Sequence, residues 1–458
     1  MENNSTRKKV AVVGTGMAGL VIAYILKNDP CQRFEVEVFE KQDKLSLDSA
    51  SHTILPQGGE GDKQERLDLP MRALADGYYE NLKRMYDYFG ITYGSRRFVY
   101  SLSTLSDSSH EQVSPYYVHS SNNHQIPPLR PEGLSWARWL IETCYLALCY
   151  YWFTACCFFV APRTVESSGA EESLRQYVGR ICLPWYYVKH YLLPMMSSVT
   201  TCSHDALLDF PAIDVVDYER KTFRKPHYTV LGGVQRVEKE LSKGLKNWLA
   251  TKVTSVENVG TEVKVTWANT LDGQNHSKLF DHVILAVTPD VIGAIFEPLR
   301  SAVAAVPTTT VQIVIHRDFS KIIDCSKSLW RQIASNRSDL APQPFHICSN
   351  AEATESTHEH PSAYLITNHP IAPIDPEKVV HTATLTRVLR SPTSRQIVNS
   401  IFGKKVSGQE KSQLWQNGDG NVWLVGSWCW DGMVLLEGCV GSAMRVANGL
   451  GVQVPWMQ

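Results

Sequence analysis

The apolar run Val10-Ala11-Val12-Val13 leads directly into Gly14-Thr15-Gly16-Met17-Ala18-Gly19, and a second apolar strand, Val36-Glu37-Val38-Phe39, closes on the acid Glu40. Strand, glycine turn, helix, strand and acid in this order specify a βαβ unit built to hold a dinucleotide. The three glycines have separate tasks. Gly14 makes the tight turn, Gly16 lets the backbone approach a pyrophosphate, and Gly19 lets the helix Leu20 to Lys27 pack closely on the strand. The helix then directs its free N–H groups and positive dipole end at the phosphates. A carboxylate at Glu40 suits the adenosine ribose hydroxyls and repels a 2'-phosphate, which disfavours NADP. Candidate cofactor residues at this end are therefore Gly14, Gly16, Met17, Ala18, Gly19, Glu40 and Lys41.

A chain of 458 residues exceeds one ordinary core and suggests two or three domains. Its 45 basic and 46 acidic residues nearly cancel, so charge gives no case for nucleic acid as a partner. Met1 to Lys9 is polar and runs straight into the first strand, so no signal peptide is expected and an intracellular, reducing location is. Eleven cysteines without a CxxC pair fit scattered thiols better than a disulfide framework or zinc site. The sequons at Asn3, Asn4 and Asn336 then carry no meaning.

Further along, a polar stretch to about Gly61 reads as a loop over the cofactor. A helical pattern from Leu69 places Tyr78, Leu82, Met85 and Phe89 on one stripe and ends at Gly90. After Val230-Leu231-Gly232-Gly233-Val234 a helix is expected over Gln235 to Leu249. Val253 to Val256, Glu262 to Trp267 and Val283 to Val287 read as strand, hairpin and return strand. The chain closes with a strand, Val422 to Gly426, and a helix from about Glu437 to Leu450.

One interval departs from the globular pattern. Thr143 to Pro162 holds twenty residues without a formal charge, dense in Leu, Tyr, Trp, Phe and Cys. That length suffices to cross a bilayer. A single crossing would, however, split one cofactor domain between two sides of a membrane. Three readings remain: a buried helix of a substrate domain, a monotopic element dipping into one leaflet at the cytoplasmic face, or a re-entrant pair with Trp185 to Met196.

A nucleotide motif at the first residues and a glycine-containing strand and helix at the last suggest FAD, whose extended shape reaches both. With Tyr228-Thr229-Val230-Leu231-Gly232-Gly233-Val234, the strand at Val253, and Ile284-Leu285-Ala286-Val287-Thr288-Pro289, the chain resembles the flavin-containing amine oxidoreductase and phytoene desaturase superfamily. Within it, the resemblance is closest to a subgroup known as predicted NAD/FAD-binding proteins, some of which accompany lipid-modifying enzymes in bacteria. Leu67 to Arg72, Tyr191 to Met196 followed by Phe210-Pro211-Ala212, and Gly426-Ser427-Trp428 through Glu437-Gly438 to Trp456 carry it. The resemblance implies an α/β fold: a Rossmann-type FAD-binding domain, glutathione-reductase-like and of the amine-oxidase type, with a discontinuous α+β substrate domain. The FAD domain would comprise 1–61, 226–299 and 415–458, and the substrate domain 62–225, with the apolar helix 143–162, and 300–414. Further cofactor contacts are implied at Val253, Ala286, Gly426, Ser427 and Val434.

Two departures stand out. Lys44 to Thr53 replaces the superfamily's Arg-x-Gly-Gly after the second strand, and Leu436-Glu437-Gly438 replaces the subgroup's His-Glu-Asp. The catalytic candidates are His52, Arg72 and Glu437. His52 lies in the expected flavin loop with an ordinary pKa of about 6.5, or is merely structural. Arg72 pairs with flavin or substrate oxygen, or with Asp68 or Asp76. Glu437 caps the terminal helix or positions substrate. That helix should aim its N-terminus at the pyrimidine end of the flavin, favouring the reduced anion. Trp428 and Trp430 read as a cage around the ring or as packing. His358-Glu359-His360 with His346 and His369 reads as a polar loop without metal-ligand spacing. Buried inert thiols are expected at Cys156-Cys157.

The expected activity is FAD-dependent removal of hydride from a lipophilic small molecule, a fatty-acyl, polyketide or terpenoid compound, in secondary metabolism. The alternatives are a flavin amine oxidase, and a flavin-bound isomerase or membrane-associated scaffold without net redox activity.

Overall fold

In the computed structural model, the described residues are 7–54, 65–96, 98–105, 115–120, 128–131, 133–164, 171–322, 343–403 and 415–457. Asn3, Asn4, Asn336 and the end of the expected cofactor loop near Gly61 lie outside them.

The opening strand Lys8–Val13 sits at the centre of a five-stranded parallel sheet, in the order Lys246–Trp248, Phe34–Phe39, Lys8–Val13, His282–Leu285, Val422–Leu424. Val10 to Val13 is buried throughout, as a parallel strand covered on both faces requires. The first helix, Met17–Lys27, packs one face of this sheet beside the terminal helix Leu436–Gly449. The three-stranded antiparallel sheet Thr251–Val259, Glu262–Asn269, Asn275–Phe280 belongs to the core on the other face.

Two expected helices are corrected. The one over Gln235 to Leu249 ends at Ser242, and Lys246–Trp248 becomes the edge strand of the parallel sheet. Three residues are too few to show a period, and a tertiary bond holds them. Buried Glu37 accepts from Lys246 Nζ at 2.6 Å, from Trp248 Nε1 at 3.0 Å and from Lys278 Nζ at 2.7 Å. The pattern from Leu69 becomes helical only over Glu80–Tyr88, because Glu65–Leu67 and Ala73–Ala75 form short strands and Gly77 turns with φ +80°.

The second body is a seven-stranded mixed sheet drawn from both intervals assigned to the substrate domain. Its order is Val379–Val388, Thr308–His316, Tyr364–Asn368, Thr354–His360, Gln343–Ser349, Phe98–Thr104, Tyr117–Ser120. The histidine group read as a polar loop lies largely within it: His346, His358 and His360 are strand residues. His346 Nε2 meets Glu359 at 2.5 Å and its Nδ1 meets Ser101 Oγ at 2.9 Å, while His358 stacks on Phe345. Alternating polar residues satisfied across a sheet imitate a loop in sequence.

A helical layer covers part of this sheet. The long helix Trp136–Phe159, N-capped by Ser135, buries Leu146, Cys149, Phe153, Cys156 and Cys157 there. It is not wholly buried, for its opposite side faces outward. Tyr187, Val188, Tyr191 and Leu192 of the second apolar stretch are buried in the same cluster, while Trp185 and Tyr186 at its start are exposed. Every described cysteine is free, and burial raises the pKa of both Cys156 and Cys157.

Candidate functional site

A cavity of about 620 Å³ opens along the carboxyl ends of the parallel strands. This is where open α/β sheets bind ligands. Gly14, Gly16, Met17, Ala18, Glu40, Lys41, Val253, Ala286, Gly426, Ser427 and Val434 all line it. Gly19 does not, and the reason is steric. A Cβ there would lie 2.0 Å from the Gly14 carbonyl oxygen, and one on Gly14 2.7 Å from that of Ala286. Both glycines set the backbone. At Gly16 a Cβ would meet nothing within 4 Å, which leaves an open cradle at the start of the first helix. That cradle fits a pyrophosphate.

Glu40 is buried at the far end. Its carboxylate accepts from Thr15 Oγ1 at 2.5 Å, Thr15 N at 3.2 Å and Gln42 N at 3.1 Å. Because a carboxylate offers about four acceptor sites, capacity remains for ribose hydroxyls. Thr15 Oγ1 also accepts from Ser46 N at 2.7 Å. Thus the segment replacing Arg-x-Gly-Gly is fastened to the glycine turn, and Ser46 joins the cavity wall.

At the opposite end the terminal helix begins at the cavity. Its N-cap Leu435 supplies no side-chain hydrogen bond, Val434 precedes it on the wall, and Cys439 lines the cavity from the helix start. Burial pushes the Cys439 thiol up to about 11, so it stays protonated at neutral pH. Arg387 enters the same wall from the seven-stranded sheet, donating to Thr201 Oγ1 at 2.8 Å and Val199 O at 3.4 Å. Burial and then the charge of Arg72 lower its pKa. Sequence reasoning missed Arg387, since nothing in Val379–Val388 distinguishes it; the signal is purely spatial.

The catalytic candidates are dispersed. His52 is not among the lining residues; it stacks on His381 at 5.0 Å between ring centroids, and burial followed by His381 and Arg66 lowers its pKa. His381 precedes Arg387 by six strand positions, roughly 20 Å at the usual rise. Arg72 pairs with neither Asp68 nor Asp76 among the described ion pairs: Asp68 accepts from Val234 N and Asp76 pairs with Lys83. Its Nη2 donates to Leu47 O at 2.9 Å, and its Nε is buried without a partner. Glu437 is a cap, but of a different helix. It accepts from Asn81 N, Asn81 Nδ2 and Leu82 N at 2.9, 2.7 and 3.0 Å, at the start of Glu80–Tyr88. Burial nevertheless outweighs these donors and raises its pKa. Trp428 lines the cavity, whereas Trp430 packs edge-on against Tyr78 and donates to Met433 O. No metal-binding cluster occurs among the described residues.

A family model for flavin containing amine oxidoreductases matches residues 193–450, more than half the chain. The protein belongs to that family. A model for NAD(P)-binding Rossmann-like domains matches residues 12–89 of this amine oxidoreductase family member. Among solved structures, it is similar to the crystal structure of a CLA-producing fatty acid isomerase from P. acnes, at 10% identity, a TM-score of 0.58, and coverage of 96% of this chain and 98% of that one. No curated protein matches it. At that identity the isomerase shares the fold; the family itself brings a flavin cofactor and an oxidoreductase class.

Proposed function

We propose that this family member is an FAD-dependent oxidoreductase that removes hydride from a lipophilic small molecule. The observation that carries the reading is one cavity joining Glu40 and Val253, suited to adenosine, with Arg387 and Cys439 at the other end. When bound, the flavin supplies a hydride acceptor. Gly16 and the first helix would hold its pyrophosphate, and Glu40 its ribose. Arg387 and the terminal helix start would put positive charge at the cavity end opposite Glu40, where a reduced flavin would carry negative charge. Val287, Val291, Ile295 and Trp428 give the cavity an apolar wall, which supports an apolar substrate such as a fatty-acyl, polyketide or terpenoid compound over a polar amine.

The test is the visible spectrum of purified protein followed by anaerobic addition of such compounds. Oxidised-flavin bands that bleach on addition support the proposal; a colourless protein that cannot take up FAD overturns it. The likeness in fold to a fatty acid isomerase favours a second reading, isomerisation without net redox change. Product formed with no lasting bleaching and no acceptor consumed selects that reading.

A further inference from the structure

The long helix Trp136–Phe159 presents a second functional surface, away from the cofactor cavity and independent of the flavin reading. On its outer side Leu140, Ile141, Leu148, Trp152 and Phe159 follow helical spacing, with exposures of 70% at Ile141, 73% at Leu148 and 87% at Phe159. The helix is about 36 Å long. No charged residue interrupts this side between Leu140 and Phe159. Exposed Trp185 and Tyr186 extend the surface, Tyr186 packing against Tyr145 of the helix. Glu142, the one acid within the helix, accepts from the hydroxyls of Tyr186 and Tyr191.

Cations mark both ends. Arg130 lies over the ring of exposed Trp136 at 4.7 Å. At the other end exposed Phe158 meets Phe223 edge-on, and Arg224 lies over Phe223 at 5.3 Å. Arg220, Lys221 and Lys225 are exposed in the same segment, Arg220 pairing with Asp217 and Lys221 lying over the ring of Tyr78 at 5.7 Å. An apolar strip with aromatic edges and cationic ends matches an anionic phospholipid surface: acyl chains meet the strip and headgroups meet the guanidinium and ammonium groups. Crossing is ruled out by the opposite side, where Cys149, Phe153 and Cys157 belong to the protein core.

We propose that this helix lies in the plane of an anionic membrane leaflet with Leu148 and Phe159 inserted among the acyl chains. The test is co-sedimentation of the full-length protein with phosphatidylcholine vesicles containing about one third phosphatidylserine. Wild type should sediment with them, more weakly with phosphatidylcholine alone and in high salt. L148E/F159E should lose at least tenfold in partitioning, and R224E/K225E should lose the preference for phosphatidylserine. Both variants should keep wild-type circular dichroism and flavin content, since every altered side chain is outside the core. The proposal is overturned if wild type stays in the supernatant with every vesicle, if L148E/F159E sediments like wild type, or if the helix proves to be the interface of a dimer that this variant dissociates.

Discussion

Gly16 and Gly19 belong to one motif, yet their surroundings require that alanine fail at the two positions in opposite ways. At Gly19 a methyl carbon would sit 2.0 Å from the Gly14 carbonyl oxygen and 3.1 Å from Ala286 Cβ. Alanine's better helix propensity returns only about 1 kcal/mol. Forcing the first helix off the central strand costs ~3 kcal/mol, or more where rigid backbone is the obstacle. A net loss of ~2 kcal/mol in apoprotein stability follows. At Gly16 the methyl meets nothing within 4 Å and the apoprotein should melt as wild type. The same methyl occupies the cradle where phosphate oxygens approach the helix N-terminus, and each charge-assisted bond lost there costs ~1.5–3 kcal/mol. FAD affinity of Gly16→Ala should therefore fall ten- to a hundredfold, since about 1.4 kcal/mol is a factor of ten. Thermal melting of the apoproteins and fluorescence titration with FAD read the two effects separately. A Gly16→Ala variant that binds FAD like wild type, or a Gly19→Ala variant that melts like wild type, would refute the reasoning.

Replacing Glu437 by Ala strands three donors at the start of Glu80–Tyr88, the buried Leu82 N among them, and should cost ~2–4 kcal/mol, read from urea unfolding. Arg390 donates at 2.8 Å to both Trp428 O and Trp430 O beside buried Asp214, so Arg390→Met should lose about 3 kcal/mol and slacken the Trp428 wall. Adding Asp214→Asn should then cost less than the sum of the single changes; additivity in the double-mutant cycle would count against the pairing. His358 is buried and pushed down to about 3, chiefly by desolvation and then by His360, Arg96 and His346. The folded state thus takes up this proton later than the unfolded chain. Its contribution is complete above pH ~6.5 and is lost as pH falls toward 3, by a few kcal/mol at ~1.4 per unit. His358→Phe, which keeps the stacking on Phe345, should flatten the fall in melting temperature between those limits; an unchanged slope would refute the assignment.

Four of the five strands of the nucleotide sheet were legible because each carried a local signal. Val10 to Val13 and Val283 to Leu285 are unbroken apolar runs, as parallel strands covered on both faces must be. Lys246–Trp248 escaped because its reason for being a strand is Glu37, more than two hundred residues earlier in the chain. The histidine strands escaped for the converse reason. Thr354–His360 has polar side chains on both sides, satisfied by Gln343, Ser101 by way of His346, and Thr367, so the period of two was invisible. Spacing reports burial only when burial is apolar.

The same distinction divides the site. Glycines and Glu40 are tied to their task by the backbone around them, and such constraints repeat wherever the task repeats. Two other stretches noticed by resemblance gain a physical reason here: Asp68 accepts from Val234 N at 2.9 Å, and a Cβ on Gly233 would come within 2.9 Å of its carboxylate. Thus the segment Leu67 to Arg72 and the Gly-Gly segment are two sides of one joint. Arg387 and Glu437 differ. One guanidinium reaches the cavity because Thr201 and Val199 hold it, and one carboxylate serves Asn81 and Leu82 from a helix far along the chain. A charged side chain has no period, and its role is written in the element opposite. Even the polarity of the cavity's ends follows this rule. The carboxylate end is encoded beside the glycines, whereas the cationic end exists only once the seven-stranded sheet has docked Arg387 beside the terminal helix.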